Sequence, residues 1–159
     1  MDDDLPLSTT LEVRDRCLCL YVQLAARMLA RRFDEALRPL DITNGQFSLL
    51  MSLNRPMGPR ISDLVPLLGM DRTTLTAALK PLQRRGLVTV LPDEKDARAR
   101  RLTLTDAGRD TLKAALPIWR RTHDAVDQLL QQPDGVALRQ DLMALAQPTV
   151  PVEGESHNS

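Results

Sequence analysis

Apolar residues recur at helical spacing along most of this chain, and two short stretches break the rhythm. Over residues 11–37 the positions Val13, Cys17, Leu20, Tyr21, Leu24, Met28, Phe33 and Leu37 follow one helical face for about seven turns. A helix of that length cannot be covered by one short partner, so the pattern predicts packing against a second subunit or against long helices elsewhere. Pro39 stops it, because proline has no backbone N–H to continue the ladder. Thr43 then stands where an N-cap is needed for a shorter helix reaching Leu53, with Phe47, Leu50 and Met51 on its apolar face. Residues 54–59, Asn-Arg-Pro-Met-Gly-Pro, read as a loop.

The next two segments are short and closely spaced. Residues 61–68 form one helical pattern ended by Gly69, and Asp71 caps another that runs to about residue 85 and closes at Gly86. Two short helices joined by a glycine-containing turn make a helix-turn-helix. The period then changes: residues 87–91 and 101–104 are β-rich, and the polar stretch 92–100 between them reads as the tip of a two-stranded hairpin, a wing. A long helix beginning at Thr105 and Asp106 carries Leu112, Ala115, Leu116, Trp119, Val126, Leu129 and Leu130, with Pro117 expected to kink or break it. Residues 133–135 separate it from a last helix over 136–146, with Leu138, Leu142 and Leu145 on one side. After Gln147 the composition predicts a disordered tail.

The expected fold is therefore mostly α with a small β-hairpin wing: a winged helix-turn-helix lobe that binds DNA, plus a helical dimerisation lobe. The expected organisation is a flexible N-terminus at 1–10, a dimerisation helix over 11–40, the winged lobe over 41–106, dimerisation helices over 107–146 and a tail over 147–159.

Composition supports this. Hydrophobic residues make up 43% of the 159 residues but aromatics only 3%, so the core must come from aliphatic helix faces. The formal net charge is zero, which by itself argues against nucleic acid, since phosphate neutralisation supplies much of that affinity. The distribution reverses the argument: residues 60–109 hold ten Lys/Arg against six Asp/Glu, while the flanking segments are acidic on balance. No apolar run reaches the roughly 18 residues of a membrane span, and the Met-Asp-Asp-Asp start is the reverse of a basic leader, so a cytoplasmic protein without a membrane partner is expected.

Candidate chemistry concentrates in the basic third. In DRTTLTAALKPLQRR (71–85), Leu75, Ala78, Leu79 and Leu82 face inward and leave Arg72, Thr73, Thr74, Thr76 and Lys80 to project. An arginine with small hydroxyl side chains near a helix N-terminus suits the major groove, where Arg pairs with guanine and Thr meets phosphate or a thymine methyl. A solvated helix face with an ordinary cap has the same composition. Pro81 removes one backbone hydrogen bond, beyond the reading end of the helix. On the wing, Lys95, Arg98, Arg100 and Arg101 are cations on a segment too polar for a core; an arginine there can enter a narrow minor groove, and Asp96 can pair with Arg98 and orient it. Two-fold symmetry of a dimer predicts an inverted-repeat operator with half-sites about one helical turn apart.

Across residues 11–146 the chain resembles the MarR family of bacterial transcriptional regulators. The resemblance rests on the long first helix, on LDITNGQFSLLMSL, on ISDLVPLLGMDRTTLTAALKPLQRRGLV and on DARARRLTLTDAG, the last two being the specific blocks. It implies an obligate dimer with intertwined terminal helices, a major-groove role for the helix at 71–85 and a minor-groove role for Arg98 in Asp96-Ala97-Arg98. It also implies release by a small-molecule effector, often an aromatic carboxylate, in a cleft between dimer helices and reading head. Tyr21, Arg27, Phe47 and Trp119 are candidates to line it, all residue types that serve equally as core or surface.

Cys17 and Cys19 raise a second mode of control, a thiol-based oxidant-sensing repressor. Cys17-Leu18-Cys19-Leu20-Tyr21 is similar to the first helix of the hydroperoxide-sensing branch, where a cysteine four residues before a tyrosine is oxidised, and Arg14 and Arg16 can supply positive charge. The chain departs from that branch at Phe47, which stands where a tyrosine would donate to the thiolate. Cys17 also shares a face with Tyr21 and Leu24, which suits a buried structural cysteine. As i and i+2 on a helix the two thiols diverge by about 200°, so they are not expected to pair with each other.

Nothing indicates an enzyme. His123 and His157 are isolated, and there is no HExxH, no clustered Cys/His ligand set, no P-loop and no GxGxxG, so neither cofactor nor metal is expected. The reading is a dimeric DNA-binding regulator acting as a repressor; a helical protein–protein adaptor using the same fold without DNA is the competing class.

Overall fold

The computed structural model describes residues 5–93, 100–131 and 135–147. Its helices are α1 (Leu7–Arg16), α2 (Leu18–Leu37), α3 (Asn44–Ser52), α4 (Ile61–Leu68), α5 (Arg72–Arg84), α6 (Asp106–Asp127) and α7 (Val136–Leu145), with strands β1 (Val88–Pro92) and β2 (Arg100–Leu104) between α5 and α6. The chain divides into two compact units, residues 1–122 and 123–159, and α6 runs from the first into the second. The fold is mostly helical with one antiparallel hairpin, as expected. The hairpin tip with Lys95, Asp96 and Arg98, and the tail after Gln147, lie outside the described residues.

Two departures from the expected elements stand out. The helix begins at Leu7, inside the stretch read as a flexible lead-in, and the long first helix is in fact two. At Cys17 the backbone becomes extended (φ −76°, ψ 95°). Its N–H still closes α1 by donating to Val13 O at 2.9 Å, and its carbonyl opens α2 by accepting from Leu20 and Tyr21. A break of one residue leaves the apolar spacing on either side intact, so periodicity runs straight across it. Of the kink or break expected at Pro117, α6 shows no break.

The turns follow from their cap residues. Pro39 starts a 3-10 turn, Arg38–Leu40, that ends at Asp41 with φ 53°. Thr43 and Gln46 form a reciprocal capping box at the start of α3, and Asp34 on α2 accepts from the Asn44 N–H at 2.6 Å, which holds the two helices together. Gly69 takes the left-handed conformation that ends α4 (φ 62°), and Gly86 does the same after α5 (φ 67°). Thr105 locks the start of α6: its hydroxyl donates to Gly86 O at 2.6 Å and accepts from the Gly108 N–H at 3.0 Å.

The core of the first unit is almost wholly leucine. Leu37 of α2, Leu49 and Leu50 of α3, Leu64 of α4, Leu75 and Leu82 of α5, and Leu102 of β2 are all at most 1% exposed. With Leu53, Leu79, Val88, Leu104 and Leu112 they form one continuous cluster that welds the helix-turn-helix to the hairpin and to the first half of α6. The terminal elements are different. No residue of α1 or α7 is buried, and α2 buries only Phe33 and Leu37, leaving Leu20, Tyr21, Leu24 and Met28 exposed.

Candidate nucleic-acid interface

The helix α5 sorts its residues cleanly. Leu75, Leu79 and Leu82, spaced by four and three, are driven into the core, and that alone turns Arg72, Thr73, Thr74, Thr76, Lys80, Gln83 and Arg84 outward. Asp71 opens the helix by accepting from the Thr74 N–H at 2.8 Å and from the Thr74 hydroxyl at 2.6 Å. Those bonds, the side-chain one first, hold its carboxyl below the usual aspartate range. The Thr76 hydroxyl donates to Arg72 O at 2.7 Å. Two of the three threonines therefore satisfy the helix itself. The side chains of Arg72, Thr73 and Lys80 make no hydrogen bond or ion pair with any described residue. They are cations and a hydroxyl at the positive end and outer face of a helix dipole, a setting that favours anions.

Behind α5 the hairpin pairs Val88 with Leu104, Val90 with Leu102 and Pro92 with Arg100. Arg100 is exposed at the start of β2. Arg101, read from sequence as a second groove-facing cation, is turned inward. Its Nε lies 2.8 Å from Asp93 Oδ2 in an ion pair, its Nη1 donates to Gly58 O at 2.7 Å, and its side chain is 22% exposed. Neighbours on β2 face opposite sides: Arg100 shares the side of Leu102 and Leu104 and is exposed at the strand's start, while Arg101 shares the side of Thr103, where Gly58 and Asp93 meet it.

Asp93 and Arg60 were invisible to sequence reasoning. Asp93 is buried, accepts from Arg60 and forms an ion pair with Arg101. It sits in a stretch whose polarity marked it as solvated tip, and its partner Arg60 lies 33 positions away in a loop. No local spacing connects two such residues; only the pairing of Arg60 with Arg101 across an isolated bridge brings them together.

The four residues proposed to line an effector cleft do not converge in the same way. Phe47 and Trp119 stack against each other in the first unit, Phe47 being buried. Tyr21 is exposed on α2, and Arg27 donates to Gln23 at 3.0 Å on the same helix. A hollow of about 320 Å³ does open at the end of α2, lined by Asp34, Arg38, Asp41, Thr43, Gln46 and Arg85 among others, and contains none of the four. The thiols of Cys17 and Cys19 are both free; Cys17 is half-buried at the α1–α2 break and Cys19 is exposed. No helix among the described residues is long and apolar enough to cross a membrane.

Comparison with known proteins gives this geometry its context. Residues 42–99 match the model of the MarR family. The crystal structure of the M. tuberculosis transcriptional regulator MosR in complex with DNA is 38% identical, with 83% of this chain and 95% of that chain covered and a TM-score of 0.74. A MarR mutant from E. coli, complexed with operator DNA, is 26% identical over 86% of this chain and 97% of its own, also with a TM-score of 0.74. Among curated relatives, the transcriptional activatory protein BadR of Rhodopseudomonas palustris is 36% identical over 87 residues, 53% of this chain and 50% of BadR. The chain thus spans about half the length of that relative, and 63% of the regulator YybA of Bacillus subtilis.

Proposed function

The chain belongs to the MarR family, and on that premise we propose that it is a homodimeric, sequence-specific regulator of transcription that binds duplex DNA. The observation that carries the reading is the division of α5: a leucine face sunk in the core and an outer face on which Arg72, Thr73 and Lys80 have no protein partner among the described residues. Each protomer lays residues 71–80 in the major groove, and the hairpin arginines Arg98 and Arg100 approach the flanking minor groove. The exposed apolar positions of α1, α2 and α7 supply the dimer contact, which also explains why these helices bury so little in one protomer. Occupancy of a promoter in the cytoplasm blocks polymerase, so repression is the output, relieved when a small molecule shifts the spacing of the two heads.

The test is a mobility shift on genomic fragments recovered by the wild-type protein, at two salt concentrations. Steep loss of binding with salt is the expected result, because phosphate contacts release counterions. Arg98→Ala is expected to weaken binding while the dimer persists. Absence of any shift at either salt concentration leaves the protein–protein adaptor as the reading.

Oxidant control is a second reading, favoured by one observation: Cys17 lies at the break between two helices with the exposed Cys19 beside it. Peroxide is then expected to change DNA affinity in the wild type and not in Cys17→Ser. Equal responses remove this reading.

A further inference from the structure

The root of the hairpin holds a charge cluster that the groove contacts do not use. The Asp93 side chain is 1% exposed; its Oδ2 accepts from Arg60 Nε at 3.0 Å and Arg60 Nη2 at 2.9 Å, and Arg101 Nε lies 2.8 Å from it in an ion pair. The three residues come from three places: Arg60 from the turn into α4, Asp93 from the exit of β1 and Arg101 from β2. Backbone contacts already tie two of these together. Leu102 N donates to Pro59 O at 3.0 Å, and Gly58 lies so close to β2 that an added Cβ would sit 2.1 Å from Leu102 O. Asp93 adds the third side, fastening β1 to the turn before α4.

A buried ion pair is weak evidence for stability, since desolvation offsets most of the attraction. Here one carboxylate oxygen faces two guanidinium groups, so an apolar trio would pack with less desolvation cost. What charge provides, and apolar packing does not, is direction: a guanidinium fork fixes its acceptor in plane and in angle.

We propose that Asp93, through Arg60 and Arg101, is a positioning residue that sets the angle of the hairpin to the helix-turn-helix, so that both grooves are engaged together. The proposal rests on the DNA-binding reading above. Asp93 need not touch DNA to act. The strand it fastens leads directly into the segment that carries Arg98, and β2 brings Arg100 back beside it.

The experiment is a set of affinity measurements on a wild-type-selected genomic duplex and on a scrambled duplex of equal length. Arg60→Gln cuts the tie to α4 while leaving Arg101 on Asp93; Asp93→Asn removes the shared acceptor charge. Each is expected to weaken binding to the selected duplex by about tenfold or more, with helix content and dimer mass unchanged. Combined with a hairpin stripped of both arginines (Arg98→Ala with Arg100→Ala), each is expected to cost less than about a further twofold, because there is no longer a contact to aim. Combined with Arg72→Ala, the losses are expected to multiply. Should Asp93→Asn fail to fold, Arg60→Gln carries the test alone. The proposal is overturned if Arg60→Gln binds as tightly as wild type, if its loss multiplies with that of the stripped hairpin, or if stripping the hairpin changes nothing. A wild-type protein that shifts no duplex at all overturns the regulator reading itself, an outcome distinct from these three.

Discussion

Phe47 of α3 and Trp119 of α6 lie nearly parallel, their ring centroids 6.1 Å apart and their planes inclined by 20°. Each supplies the other with an apolar partner, and the pair joins α3 to α6 just beyond Pro117. Two of the four residues assigned by sequence to an effector cleft are therefore engaged with one another.

That stack gives a direct stability test. Phe47→Ala is expected to cost about 3–5 kcal/mol, the range for removing a large aromatic from a packed interior. Trp119 is the only tryptophan, so its emission reports the same event and is expected to shift to the red as water reaches the ring. Urea unfolding followed by fluorescence measures both. Unchanged emission with unchanged stability would show that the stack does not exist in solution.

Two glycines separate steric from conformational cost. At Gly58 a Cβ would meet Leu102 O at 2.1 Å and Thr103 Cγ2 at 2.8 Å, so Gly58→Ala must push the turn away from β2, at about 1–3 kcal/mol or more. At Gly69 nothing lies within 4 Å, and only the positive φ of 62° opposes a side chain, at about 1–2 kcal/mol. Thermal midpoints of the two variants are expected to fall in that order, and only Gly58→Ala is expected to alter amide exchange in β2.

The Asp71 cap makes α5 sensitive to acid. Its native pKa lies below the ordinary aspartate value of 3.8, chiefly because the Thr74 hydroxyl donates to it. A group lowered in the native state favours folding while ionised. Its contribution is thus fully present above the ordinary value and is lost as pH falls through the lowered native one. Asp71→Asn, which still caps but does not titrate, is expected to flatten the stability profile below about pH 4 relative to wild type. Identical acid profiles would remove Asp71 from the account.

Exposed apolar residues on α2 and α7 predict concentration-dependent stability. If they meet in the proposed dimer, the melting temperature rises with protein concentration. Leu24→Glu or Leu142→Glu, both at exposed positions within a protomer, is expected to shift the mass in sedimentation from dimer towards monomer. Monomeric wild-type protein at all concentrations would contradict the assembly.

Much of this architecture was legible because its causes are local. Asp71, Thr43 and Gly69 announce helix ends by their own chemistry, and the leucine spacing of α5 alone decides which side chains face out. The misreadings share a different origin. The break at Cys17 has no breaker residue to mark it. Arg101 looks like its neighbour Arg100 until strand alternation and a carboxylate eight residues upstream separate them. The Asp93–Arg60 pair depends on the turn before α4 being laid against β2, a tertiary fact that no window of sequence contains.

The threonines of α5 carry one more consequence. Thr74 and Thr76 have each given their hydroxyl proton away, to the Asp71 carboxylate and to the Arg72 carbonyl. What they hold out is an oxygen lone pair and a methyl group, with no proton left to lend. Against a base edge they would discriminate by fit and by exocyclic amines, not by offering a donor to guanine. Swapping thymine for uracil in a bound duplex, which deletes only the pyrimidine methyl, would show whether either side chain rests on a thymine.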